Sequence, residues 1–159
     1  MRRFTVKFAG LIAVIFATSA VGVSMYDSSK KRLSVCRELI VFCDCLRRDF
    51  MYRSTPVKLL VSEIISEQKL VHLSFIKPEF IGEDVKASSP LENAANKELS
   101  AFLSALGRSD TDTQLDLISS FRSYLCGEEE KLKISHAKNA RLYLSFGVFS
   151  GVLIALIFV

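Results

Sequence analysis

The sequence predicts an all-α protein in which two transmembrane helices flank a helical bundle. Three observations carry that prediction. No segment shows sustained alternation at period two, apolar residues through the middle recur at spacings of three and four, and a long uncharged apolar run lies toward each end.

Residues 1–7 are a basic N-terminal segment with Arg2, Arg3 and Lys7, followed by the run "FAGLIAVIFATSAVGVSMY" over 8–26. It is long enough to cross a bilayer. A basic start and small residues around Ala17 and Ala20 also suit a cleaved signal peptide. The run continues past them through Val21, Val23 and Met25, which favours a retained anchor. At the other end, residues 142–159 would rise about 27 Å as a helix, close to the thickness of a hydrocarbon core. Gly147, Gly151 and Ala155 form a small-residue ridge there, of the kind that lets membrane helices pack closely; Ala9, Ala13 and Ala17 repeat the spacing in the first run.

Between the runs, residues 27–141 read as a helical-bundle domain. All 17 acidic residues and all but three of the 21 basic ones fall there, so it is nearly neutral and offers no electrostatic footprint for nucleic acid. Lys30, Lys31, Arg32 and Arg37 follow the first run, and Lys131, Lys133, Lys138 and Arg141 precede the second. This excess places the middle in the cytoplasm, although Arg2, Arg3 and Lys7 pull the other way.

From Leu33 to Tyr52, apolar Cys36, Leu39, Ile40, Cys43, Leu46 and Phe50 define one face of an amphipathic helix. Thr55 as N-cap and Pro56 in the first turn then open a second helix that buries Val57, Leu60, Val61, Ile64 and Ile65. Residues 70–81 read as helix interrupted by Pro78. Ser89, Pro90 and Glu92 have the spacing of a capping box, leading from Leu91 into a helix that buries Ala95, Leu99, Phe102, Leu103 and Leu106. Gly107 stops it. Ser109, Asp110 or Thr111 caps the next helix, whose core face is Leu115, Ile118, Phe121, Leu125 and Leu132, with a kink allowed at Gly127.

Enzyme readings need a constellation, and none is present. There is no phosphate-cradling G-x-x-x-x-G-K-[ST] loop and no G-x-S-x-G elbow. His72 and His136 have no metal-ligand neighbour at helical spacing. Asp110, Asp112 and Asp116 start like a calcium loop, but Leu115 stands at the glycine position and Phe121 at that of the bidentate glutamate. No catalytic, cofactor-binding or metal-binding residue is therefore expected. Cys36, Cys43, Cys45 and Cys126 lack zinc spacing and fit thiols in a reducing compartment.

Three stretches resemble the stage III sporulation protein AB family: "DFMYRSTPV" from Asp49, "LGRSDTDTQLDLI" from Leu106, and "AKNARLYLSFGVFSGVLIALIFV" at the end. Asp49, Val57 and Phe146 depart conservatively from its pattern, and the resemblance is not traced between Leu70 and Pro90. The resemblance implies a platform component of the feeding-tube channel between mother cell and forespore in endospore-forming bacteria. It implies a soluble domain similar to the cytoplasmic F domain of type II secretion and type IV pilus platforms. The partners it implies are a cytoplasmic channel ATPase, the stage III sporulation protein AA, and other stage III sporulation membrane proteins, with homo-oligomers also allowed. The expected location is the mother-cell side of the outer forespore membrane. Tyr52, Thr55, Pro56, Gly107, Asp110 and Gln114 are its motif positions, with Tyr52 and Gln114 either bridging the two turns or facing a partner. The competing reading is a secreted helical interaction module with a cleaved signal and a C-terminal anchor.

Overall fold

A computed structural model of the chain describes the backbone of all residues except 1, 53, 54, 85 and 159, and the side chains of 24, 26–52, 55–84 and 86–138. The fold is all-α: helices α1 (Arg2–Tyr52), α2 (Val57–Glu67), α3 (Asn93–Ala105) and α4 (Thr111–Phe158), with two short 3-10 turns at Val71–Leu73 and Pro78–Phe80. Among the described residues no helix is long and apolar enough to cross a membrane. The side chains of the spans expected at 8–26 and 142–159 lie outside the described ones, apart from Ser24 and Tyr26, and so do those of the ridge Gly147, Gly151 and Ala155.

The chain divides into two compact units, Met1–Lys30 with Lys133–Val159, and Lys31–Leu132. In the second, α1 and α4 run antiparallel. Arg37 Nε lies 2.9 Å from a Glu129 carboxylate oxygen and Arg122 Nε 2.5 Å from one of Asp44, so seven residues forward on α1 is seven back on α4. The Cys36 thiol, just before Arg37, donates to the Leu125 carbonyl of α4 at 3.4 Å.

Helix α1 buries more than the expected stripe. Val35, Phe42 and Cys45 join Cys36, Leu39, Cys43 and Leu46 in the core, while Ile40 and Phe50 only pack against it. Its neighbours explain the width: α4 on one side, the first 3-10 turn through Glu38 and His72, and the segment before α3 through Arg32 and Glu92. Burial pushes the Cys36 thiol up to about 11 and the Cys43 thiol up to about 12, and it raises Cys45 as well.

Helix α2 buries Leu60, Val61 and Ile64, with Val57 and Ile65 packed against the core. Its start differs from the expected one. Pro56, not Thr55, is the N-cap residue, and no side chain caps the helix. The extended ψ of 133° at Pro56 aims its carbonyl at the amides of Leu59 and Leu60, 3.0 and 3.1 Å away.

Residues 70–81 are not an α-helix. Lys69 adopts φ of +50°, and the Leu70 amide reaches back to the Ile65 carbonyl at 3.2 Å, closing α2 in a Schellman-like cap. Beyond it Leu73 bonds to Leu70 and Ile76 to Leu73, each three residues back. Leu70, Leu73 and Ile76 are buried at that same interval, the period of a 3-10 helix. Pro78 starts the second turn.

Nor does the capping box form. Helix α3 begins at Asn93 with Glu92 as N-cap and no side-chain bond to it. Asn96 organises the approach instead. Its Oδ1 accepts from the Ser89 amide and hydroxyl, and its Nδ2 donates to the Ser89 and Leu91 carbonyls. From there α3 buries Ala95, Leu99, Phe102 and Leu103, and Leu106 follows at its end. Phe102 stacks on Phe121 of α4 with ring centroids 4.3 Å apart. Helix α4 contributes Ile118, Phe121 and Leu125 to the core, leaves Leu115 half-buried, and passes through Gly127 without a break.

Candidate functional site

The two motif turns meet at one end of the second unit. Gly107, just after α3, has φ of +81°, a conformation that L side chains rarely adopt. A Cβ there would lie 3.4 Å from a Val57 methyl and 3.8 Å from a methyl of Ile81. The glycine thus serves both the turn and the close approach of the α2 N-terminus.

Gln114 holds that turn from within. It is 1% exposed, the one buried polar residue among those described. Its Oε1 accepts from the Gly107 amide at 3.0 Å, and its Nε2 donates to the Ala105 carbonyl at 3.2 Å and to the Ser109 hydroxyl at 2.6 Å. A buried amide bonded in this way replaces partners that the last turn of α3 would otherwise lack. These bonds all lie within the second turn, so Gln114 acts on the geometry of the loop.

Asp110 closes the other side. Its carboxylate accepts from the Thr113 hydroxyl at 2.7 Å and the Thr113 amide at 3.2 Å, which is N-cap geometry for α4. Those bonds, the hydroxyl first, hold its carboxyl below the usual range. Its carbonyl accepts the Gln114 amide at 3.0 Å.

A third strand of chain, absent from the sequence reading, completes the junction. Gly82, at φ +77°, donates to the Leu103 carbonyl at 3.0 Å, and its own carbonyl accepts from Arg108 Nε and Nη2 at 3.0 and 2.5 Å. The chain at 81–82 is thereby fixed against the α3–α4 turn. A lone loop glycine and an arginine after Leu-Gly give no sequence signal for such a clamp.

Of the first motif, Thr55 is half-buried and Pro56 exposed. Tyr52, at the end of α1, is 80% exposed beside Met51 at 58%. Leu59, on the outer face of α2, is 61% exposed. The described residues thus give a rigid, interlocked turn and apolar side chains directed to solvent. They bring together no group of three or more His, Cys, Asp or Glu suited to a metal.

Comparison with known proteins is informative at one level. The model of the stage III sporulation protein AB family matches residues 7–76 and 81–159, nearly the whole chain, including most of the stretch from Leu70 to Pro90 over which the motifs alone did not trace the resemblance. No curated protein and no solved structure matches it.

Proposed function

The chain belongs to the stage III sporulation protein AB family, which gives it a role in stage III of sporulation, and on that premise we propose that it is a non-catalytic platform component of the channel between mother cell and forespore. The observation that carries this reading is the family match along nearly the full length, in order, over both helical turns and both apolar runs.

In this proposal the runs 8–26 and 142–159 span the outer forespore membrane from the mother-cell side, and residues 27–141 form a cytoplasmic domain similar to that of type II secretion platforms. Lys30, Lys31, Arg32 and Arg37 after the first run and Lys131, Lys133, Lys138 and Arg141 before the second support that orientation. The domain docks the channel ATPase, stage III sporulation protein AA, and other stage III membrane proteins. Tyr52 is the contact we favour, because an aromatic that is 80% exposed at the end of α1 suits an interface anchor. Gln114, being buried, shapes the turn between α3 and α4.

The test is an in-frame deletion in the spore-forming host, scored by the shape of engulfed forespores and a reporter of late forespore transcription. Collapsed forespores with a silent reporter, rescued by the wild-type copy, are the expected result. A Tyr52→Ala copy should accumulate normally and rescue poorly. Normal spores from the deletion strain would defeat the proposal.

A further inference from the structure

In the unit formed by Met1–Lys30 and Lys133–Val159, α1 and α4 touch at a defined level. The rings of Tyr26 and His136 lie 4.9 Å apart, and His136 Nδ1 is 3.3 Å from the Ser29 hydroxyl. Tyr26 is the last residue of the first apolar run, so this contact places residues 134–138 of α4 beside the end of that run. At about 1.5 Å per residue, Ile134 lies about 3 Å outside the level of His136, Lys138 about 3 Å inside it, and Lys30 about 6 Å outside Tyr26. The belt they define is about 9 Å deep, comparable to the headgroup layer on one side of a bilayer.

Its composition matches that layer. Tyr26 is 39% exposed and Ile134 64% exposed, an aromatic and an aliphatic facing outward. Around them Lys30, Lys133 and Lys138 are exposed, and Asp27 is the single carboxylate among residues 26–30 and 133–138. Aromatic rings settle at the interface, and lysine stems lie along apolar surface while their ammonium groups reach phosphate. An exposed isoleucine flanked by lysines has a partner in lipid that water does not provide.

We propose that Tyr26, Lys30, Ile134 and Lys138 form a collar that binds the headgroups of anionic phospholipids; this rests on the membrane reading above. Its partner is the acidic lipid surface itself. The collar concentrates anionic lipid around the protein, and it sets the height of α1 and α4 in the bilayer.

The chain contains no tryptophan, so Ile134→Trp in the full-length protein creates a single emission centre. The probe is a vesicle of phosphatidylcholine and phosphatidylglycerol in which one lipid at a time carries brominated acyl chains. Bromines near the headgroup should quench Trp emission more than bromines near the methyl end. Brominated phosphatidylglycerol should quench beyond its bulk fraction, and Lys30→Gln with Lys138→Gln should remove the excess, by up to roughly five-fold for each lysine. Native mass spectrometry of the unmodified chain should show the same preference in its retained lipids. Equal quenching by the two lipids, or none, in protein that still floats with the vesicles overturns the collar and leaves the spans standing. Protein that fails to float overturns the membrane reading and the collar with it.

Discussion

The α1–α4 pair and the connector from Gln68 to Leu91 are built from similar residues, yet their backbones are satisfied in different ways. Along the pair each amide bonds four residues back, and side chains are left to pack. Along the connector the short 3-10 turns bond three residues back, and the groups they leave over find partners farther away in sequence: the His72 amide goes to Glu38, the Ala87 amide to Ser100, the Ser89 amide to Asn96, and the Gly82 carbonyl to Arg108. Local periodicity therefore specifies the first region, while the second needs tertiary contacts as well.

The comparison is tested most severely in the packed region. Phe102→Ala removes a buried ring, 2% exposed, together with its stack on Phe121. The cost should be about 3–5 kcal/mol, because the rigid helices around it cannot collapse into the gap. Urea unfolding followed by circular dichroism measures it. A loss below about 1 kcal/mol would mean that the packing of α3 on α4 contributes little to stability.

The matching blow to the connector is Asn96→Ala. It strands the Ser89 amide and the Leu91 carbonyl without filling space, for an expected loss of about 1–3 kcal/mol. Hydrogen exchange separates it from the first variant. Amides between Ala87 and Leu91 should exchange faster while those of α1 keep their protection.

This contrast also explains what could be read in advance. The centres of the core faces of α2, α3 and α4 follow from spacing alone, as do the stop at Gly107 and the α4 start near Asp110, while Val57, Ile65, Leu115 and Leu132 at their margins are only partly buried. Thr55 and the Ser89–Glu92 box fail for one reason. A capping motif is a local offer, and the chain took a better bond elsewhere, the Pro56 carbonyl in one case and the Asn96 amide in the other. At the junction, Gly107 and Gln114 stood out as motif residues, but the clamp of Arg108 on Gly82 joins residues 26 apart and has no local signature.

A smaller effect probes the helix pair through pH. The Cys43 thiol is raised from its ordinary 9.0 to about 12, chiefly by burial. The folded state thus holds the proton longer than the unfolded chain does. Its contribution is complete below pH 9 and declines as pH rises from 9 through 12. Stability of the wild type should fall faster over this range than that of Cys43→Ala, and parallel curves would show that the site admits water.

The smallest pair of changes sets the two regions against each other most directly, because opposite substitutions should both stabilise. Lys69 pays for a left-handed φ of +50° with no glycine to absorb it. Lys69→Gly relieves about 1 kcal/mol or more of that strain and returns part of it as extra freedom in the unfolded chain, for a net gain of about 0.5 kcal/mol. Gly127 lies within α4, and a Cβ there would meet nothing within 4 Å. Gly127→Ala should add about 0.5–1 kcal/mol through helix propensity alone. If both gains appear and add, the connector is limited by backbone conformation and the helix by chain entropy, and the two sites act independently. A loss on Lys69→Gly would instead show that the lysine side chain, and not the backbone, holds the end of α2.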